Sequence, residues 1–213
     1  LINTSGYSGI LMKSNVDLIL HDNATLVEKD SSQYNTAVVR FRGIENASIT
    51  GGKIYGKRRF HVGDSNEWDH GIAIQGSNLI DVKGVYIYDC WGDGICLADN
   101  PSGLSYSSNV TIDGVTCDNN CRQGLSVTSG LRSTIIKNSI FSNSHHDTSL
   151  SGPNDGIDIE PNDPLKAPYL ELTIDNCQFI NNGRVGLPAT LGGYGISCAF
   201  GRSYWHSDAW NIV

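Results

Sequence analysis

Gly71-Ile72-Ala73-Ile74-Gln75, Gly94-Ile95-Cys96-Leu97-Ala98, Gly124-Leu125-Ser126-Val127-Thr128, Gly156-Ile157-Asp158-Ile159-Glu160 and Gly195-Ile196-Ser197-Cys198-Ala199 are five copies of one pattern. Glycine opens each copy, and apolar residues hold its second and fourth places. A period of two describes a strand with one side buried and the other outward. The copies start 23, 30, 32 and 39 residues apart, and polar, Gly/Pro-rich segments absorb the excess length. A constant frame therefore carries loops of unequal size.

A second alternating stretch follows each of the first four copies: Leu79-Ile80-Asp81-Val82, Asn109-Val110-Thr111-Ile112, Ser133-Thr134-Ile135-Ile136 and Glu171-Leu172-Thr173-Ile174. A third comes next: Val85-Tyr86-Ile87, Val115-Thr116-Cys117, Ser139-Ile140-Phe141 and Cys177-Gln178-Phe179. No helical periodicity separates these stretches, so the crossover helices of a doubly wound sheet are missing. Asn-Gly hairpin signals are scarce as well. Three strands per repeat, unequal loops and a stacked apolar column predict an all-β, single-stranded right-handed parallel β-helix, a solenoid whose coils stack about 4.8 Å apart. Asn119, Asn120, Asn143, Asn181 and Asn182 recur at one turn and predict side-chain ladders there. Gly9 to Leu20 and Ala37 to Thr50 fit the same frame, giving about seven coils in a single domain over 1–213, the last coil cut short. No amphipathic cap is evident at either end, which predicts a fragment of a longer chain or ends covered by neighbouring domains or subunits.

Composition narrows the function classes. Of 213 residues 39% are hydrophobic, 24 are glycine and only 17% are charged, which suits short strands and many turns. A net charge of −7 argues against a nucleic-acid partner, and the one dense basic run, Lys57-Arg58-Arg59, reads as a solvated loop. No stretch approaches the about 18 apolar residues needed to span a membrane, and no signal peptide is evident. Six cysteines at 90, 96, 117, 121, 177 and 198 follow no CxxC pattern and read mostly as core thiols, with Cys90 and Cys121 near enough in the frame to pair. Asn3, Asn23, Asn46 and Asn109 each begin a glycosylation sequon.

The run Asn78-Leu79-Ile80-Asp81-Val82 through Asp89-Cys90-Trp91-Gly92-Asp93-Gly94-Ile95, with Gly156-Ile157-Asp158-Ile159-Glu160-Pro161-Asn162, resembles the pectate-lyase-like β-helix proteins, notably bacteriophage tailspikes, tail appendages and their bacterial relatives. The resemblance spans residues 9 to about 200. It implies a polysaccharide or cell-wall glycan as partner and an extracellular or phage-tail location. It leaves hydrolase, lyase, epimerase and non-catalytic fibre open. A homotrimer with a site shared between subunits is also expected from trimeric tailspikes.

The columns of the frame locate a site. Third and fifth places point away from the core, giving Ala73, Cys96, Ser126, Asp158, Ser197 and Gln75, Ala98, Thr128, Glu160, Ala199. The fourth copy alone carries acid at both, mid-strand where acids are disfavoured. Strand geometry sets Asp158 and Glu160 about 6 to 7 Å apart on a water-facing side. That separation lies near the lower edge of the range for inverting glycoside hydrolysis, with Glu160 as acid and Asp158 as base or the reverse. The residue before each glycine forms a further column, His70, Asp93, Gln123, Asp155, Tyr194. Asp93 lies roughly 10 Å from Asp155, with Arg122 and Gln123 between them. Crowded carboxylates raise one another's pKa, as a general acid requires, and Arg122 suits an acidic substituent. Asp93 and Asp155, at corners, equally suit binding of turn amides.

The insert from Tyr55 to Asp69 holds Arg58, Arg59, His61, Asp64, Glu67 and Trp68, followed by His70, and reads as a wall for a sugar chain. Trp91, Tyr204 and Trp205 are further platforms, although Trp91 equally suits filling a corner. No cofactor is required by this reading. Calcium is a candidate ligand of Asp155, Asp158, Glu160 and Asp163, since some pectate lyases use it, and His145-His146-Asp147 is a weaker metal motif. In the lyase alternative His61 acts as base beside Arg122 and a metal. A teichoic acid-cleaving appendage is a further alternative.

Overall fold

A computed structural model of the chain describes residues 9–29, 36–61, 68–104, 106–145, 154–160, 170–183 and 193–198, and the backbone of the strand Trp210–Ile212. Three parallel sheets run through it. The first joins Ile10–Leu11, Ala37–Arg42, His70–Gln75, Ile95–Ala98, Leu125–Val127, Ile157–Ile159 and Ile196–Cys198. The second joins Asp17–Ile19, Glu45–Thr50, Asn78–Lys83, Tyr106–Asp113, Gly130–Lys137, Leu170–Asp175 and Trp210–Ile212. The third joins Thr25–Val27, Lys53–Tyr55, Tyr86–Tyr88, Thr116–Asp118, Ile140–Ser142 and Gln178–Ile180. The chain visits the sheets in turn, so each strand pairs with its counterparts one coil away. This is the predicted parallel β-helix.

Register follows the periodicity. Ile72 pairs with Ile95, Ile95 with Leu125, Leu125 with Ile157 and Ile157 with Ile196, which stacks the second places of all five copies. These residues, up to Ile157, are fully buried with Ile49, Ile80, Ile112, Ile54, Ile87 and Phe141 from the other two sheets. Each buried aliphatic side chain contributes about 1.5–3 kcal/mol, and the columns make one continuous core.

The glycine of each copy has a steric cause. A Cβ on Gly71, Gly94, Gly124 or Gly156 would lie 2.6–2.7 Å from the carbonyl oxygen of the glycine one coil on. It would also crowd an inward side chain of the third sheet: Ile87, Cys117, Phe141 or Phe179 respectively. Bulk at the core corner comes from the third sheet, and the first sheet must yield room. Phe141 and Phe179 stack there with centroids 5.7 Å apart.

The asparagine ladders form at two levels. Asn119, Asn143 and Asn181 take left-handed φ of 53°, 55° and 52°, a conformation Asn tolerates better than most residues. Their neighbours bind backbone: Asn120 Oδ1 accepts Cys90 N–H at 3.0 Å, and Asn182 Oδ1 accepts Ser144 N–H at 3.1 Å.

The cysteines are mostly core thiols, as expected: all six are free, Cys90, Cys96, Cys117 and Cys121 are buried, and the pairing open to Cys90 and Cys121 is not made. One expectation is corrected. The Lys57-Arg58-Arg59 run is not simply solvated. Arg58 opens the 3-10 turn Arg58–Phe60 and is buried, its Nη1 donating to Asn119 O at 2.7 Å. Its guanidinium braces the corners of successive coils, a long-range contact that a local charge pattern does not reveal.

Candidate active site

The predicted outward column of the first sheet is observed in register: Ala73, Cys96, Ser126, Asp158 and Ser197 sit side by side on consecutive coils. Its surroundings differ from the expectation. Ala73, Cys96, Ser126 and Asp158 are all buried, and Asp158 is only 2% exposed. Alternation fixes the direction a side chain takes from the core; it does not reveal what covers the far side of the sheet. The column also continues backwards. Arg40 pairs with Ala73 and Arg42 with Gln75, placing two guanidiniums on the same face. Arg40 is fully buried, and its Nη1 and Arg42 Nε both donate to Gln75 Oε1, at 2.6 and 2.9 Å. Burial and the neighbouring Arg42 pull the Arg40 pKa down to about 10. Extending the two columns one coil back in the sequence would have found both arginines.

Asp158 is held from two sides. Gln123 Nε2 donates to its Oδ2 at 3.1 Å and Ser197 Oγ to its Oδ1 at 2.9 Å. Its third partner is Glu160, and that contact corrects the expected spacing of about 6 to 7 Å: the two carboxyls are hydrogen-bonded to each other. Burial, the charge of Asp158 and this hydrogen bond push the Glu160 pKa up to about 7, against the pull of Arg122. Glu160 is half-buried and follows the last residue of the strand Ile157–Ile159, so it is the member of the pair that reaches outward.

Asp155 takes the structural role open to a corner aspartate. Its Oδ1 accepts the backbone N–H groups of Gly193 and Tyr194 at 2.8 and 2.7 Å, fixing the turn of the next coil. Burial raises its pKa against those bonds. Asp93 is buried in the middle of the face. Ser126 Oγ donates to its Oδ2 at 2.7 Å, Gln123 N–H to its Oδ1 at 3.4 Å, and Arg122 Nε lies 4.0 Å from Oδ1. Gln123 thus ties Asp93 to Asp158 across two coils, which gives its place in the column a physical meaning.

His70 Nδ1 lies 3.3 Å from Asp93 Oδ2, an ion-pair distance. The imidazole is nevertheless neutral at pH 7. Burial lowers its pKa to about 4 despite the pull of Asp93, and Nδ1 accepts the Asp93 N–H at 3.1 Å. Cys96 lies beside them with its thiol pushed up to about 12 by burial. Among the described residues, His70, Asp93 and Cys96 form the one group of three or more metal-type donors with ligand atoms within 4.8 Å of one another. The expected calcium ligands Asp155, Asp158 and Glu160 do not form such a group, and Asp163 lies outside the described residues.

The wall residues divide. His61 Nδ1 lies 3.1 Å from Asp69 Oδ2, while Asp69 Oδ1 accepts Thr36 Oγ1–H at 2.8 Å. The His61 ring stacks on Trp91, centroids 4.4 Å apart, so one face of Trp91 is covered and the indole fills its corner. Trp68 is exposed. His145 donates from Nδ1 to Asn143 O at 2.8 Å, and its Nε2 meets Arg58 Nη2 at 3.3 Å, which occupies both ring nitrogens. Asp64, Glu67, His146, Asp147, Tyr204 and Trp205 lie outside the described residues. No helix among the described residues is long and apolar enough to cross a membrane.

Three parallel sheets closed around one apolar core, with a hydrogen-bonded polar face on one of them, define a parallel β-helix protein with a candidate site on its first sheet. The chain belongs to the right-handed β-helix family, whose model matches residues 1–205. It is 28% identical over 200 residues to the SPbeta prophage-derived uncharacterized protein YorA of Bacillus subtilis strain 168, covering 87% of this chain and 34% of that one. It is 24% identical over 204 residues to the uncharacterized protein YclG of the same strain, covering 89% and 34%. The chain therefore spans about a third of the length of both relatives. Among solved structures it resembles a protein of Parabacteroides merdae ATCC 43184 provisionally described as a glycosyl hydrolase, with a TM-score of 0.55, 17% identity and coverage of 80% and 74% of the two chains.

Proposed function

We propose that this face binds a carbohydrate polymer and cleaves it by hydrolysis of a glycosidic bond. The observation that carries the reading is Glu160, a carboxyl held protonated up to pH about 7 by burial and by Asp158, on the outward side of an otherwise regular strand. A general acid must be protonated at the working pH, and raised carboxyl pKa values serve that need. In this mechanism Glu160 gives its proton to the leaving oxygen. Asp158, positioned by Gln123 and Ser197, activates water. The pair must part around the substrate, because acid and base in inverting enzymes stand about 6.5–9.5 Å apart. Glu160, at the strand end, is the group free to swing. Arg122 and Trp68 contact the polymer, whereas His70, Gln123, Asp93 and Asp155 position the acids. The glycosyl hydrolase description of the similar structure and the prophage origin of one relative support a phage-tail or secreted enzyme acting on a cell-surface glycan.

A second reading rests on His61. Its Nδ1 is oriented by Asp69, and its buried Nε2 has no hydrogen-bond partner among the described residues. An imidazole so held suits removal of a C5 proton from a uronate, as in a lyase or epimerase. Incubation with bacterial surface polysaccharides, followed by product sizing, reducing-end assay and ultraviolet absorbance, separates the readings. Hydrolysis yields shorter chains with new reducing ends and no unsaturated product. An unsaturated uronate would favour the His61 reading, and unchanged polymer size across the panel would leave a binding fibre instead.

A further inference from the structure

We propose that Arg42, held by Gln75 and backed by Arg40, is an anchoring subsite for the carboxylate of an acidic sugar, remote from the cleavage point, and that the polymer is a heteropolysaccharide of neutral and acidic units. This deepens the glycan-cleavage reading and rests on it. Arg42 pairs with Gln75, and Gln75 with Ala98. Thr128 and Glu160 follow the paired Val127 and Ile159, so the five residues form one column on consecutive coils. Four steps of about 4.8 Å put Arg42 about 19 Å from Glu160 along the stacking axis. Beyond Gln75 the side chains between them are short: Ala98 and Thr128 are half-buried and floor the path.

The Arg42 end of the column offers donors to a ligand. Gln75 Oε1 accepts from both Arg40 Nη1 and Arg42 Nε, at 2.6 and 2.9 Å, so one neutral oxygen fixes two guanidiniums. Gln75 is buried and Arg40 fully so, which makes the support rigid, whereas Arg42 is exposed. With Nε engaged, Arg42 keeps Nη1 and Nη2 for a ligand, and among the described residues no carboxylate lies at ion-pair distance from it. Two coplanar nitrogen donors match the two oxygens of a carboxylate. Two like charges gathered on one amide oxygen also repel: burial first, and then Arg42, hold the Arg40 pKa down at about 10. An anion relieves that repulsion. It does so on a chain whose net charge of −7 would otherwise turn an acidic polymer away.

The other end of the column calls for a neutral sugar. Asp158 and Asp93 make the cleavage point acidic, and the Arg122 charge beside them is already met by Asp93 at 4.0 Å. A polymer of acidic sugars alone would set carboxylates against Asp158, a like-charge contact that costs affinity. A mixed polymer avoids it, with its acidic unit on Arg42 and a neutral unit at Glu160. Cleavage at a fixed distance from the anchored charge then releases whole repeats.

Binding provides the test, because it needs no turnover. The Glu160→Gln chain is run through native gels cast with bacterial heteropolysaccharides that carry a uronate in each repeat, with the same polymers after reduction of their carboxyls to alcohols, and with teichoic acid. The native acidic polymers should retard it, and carboxyl reduction should weaken that binding about ten- to a hundredfold. Adding Arg42→Gln should weaken binding of the native polymers as much and erase the difference between the two forms. Adding Lys83→Gln, at an exposed lysine of the second sheet, should change neither. Equal binding of native and reduced forms across the panel, an undiminished difference in Arg42→Gln, or Arg42-dependent retardation by teichoic acid alone would overturn the proposal. Failure of the subsite and failure of cleavage look different. A wild type that shortens native and carboxyl-reduced polymers at equal rates keeps cleavage and loses the subsite, whereas Arg42-dependent binding without shortening keeps the subsite and loses cleavage.

Discussion

The outer faces of the first and second sheets are built from the same alternating strands, yet they carry opposite kinds of polarity. On the second sheet Lys83 pairs with Asp81 and Lys137 with Asp113, at 2.6 and 3.5 Å, among side chains 31–47% exposed. Those are solvated ion pairs on a plain β-surface, worth little to stability. On the first sheet Arg40, Gln75, Asp93, Gln123, Ser126 and Asp158 are buried, and hydrogen bonds run from coil to coil. Polar groups taken from water at that density cost stability unless each is paired. A face that keeps such groups buried is where function is expected, and the second sheet serves as its internal control.

The largest expected effect falls on activity. Glu160→Gln should reduce depolymerisation about 10²–10⁴-fold, and Asp158→Asn by a similar factor, with circular dichroism unchanged. The corresponding change on the second sheet, Asp113→Asn, should leave turnover within error. Stability comes next. Asp93→Ala leaves the Ser126 hydroxyl and the Gln123 N–H without their buried acceptor, removes the carboxylate 4.0 Å from Arg122 Nε, and should cost about 2–4 kcal/mol in denaturant unfolding. Asp113→Ala should cost less than about 1 kcal/mol. Equal losses at the two sites would dissolve the contrast between the faces.

A smaller effect is read from pH. Glu160, with a folded pKa raised to about 7, adds stability that is complete below its ordinary value and is lost as pH rises through about 7. His70, depressed to about 4, adds stability present above its ordinary 6.5 and lost as pH falls through about 4. Melting temperature should therefore pass through a maximum in the weakly acidic range. Glu160→Gln should flatten the alkaline side of that maximum, and an unaltered profile would mean that Glu160 titrates normally.

Much of this was legible in the residues themselves. The glycine-led pentads give three sheets, the coil count and the neighbour of Asp158 in each column, because period two and stacking leave no other register. The chemistry around those columns was less legible. Outward alternation suggested water beside Asp158, where the structure has Gln123 and Ser197. Backbone spacing kept Asp158 and Glu160 apart, whereas free rotation at the strand end lets them meet. Arg40 and Arg42 were readable one coil earlier. Arg58 over Asn119 was not, since that contact joins corners 61 residues apart, and His61 meets Asp69 within an insert whose path no periodicity fixes.

The pH dependence of cleavage by wild type and Glu160→Gln, followed by reducing ends released from a polysaccharide that the wild type shortens, tests the central claim most directly. The account predicts a wild-type rate that falls as pH rises through about 7, and a Glu160→Gln rate reduced at every pH with that alkaline limb gone. Glu160→Gln cleaving at the wild-type rate, with the same alkaline limb, would contradict it.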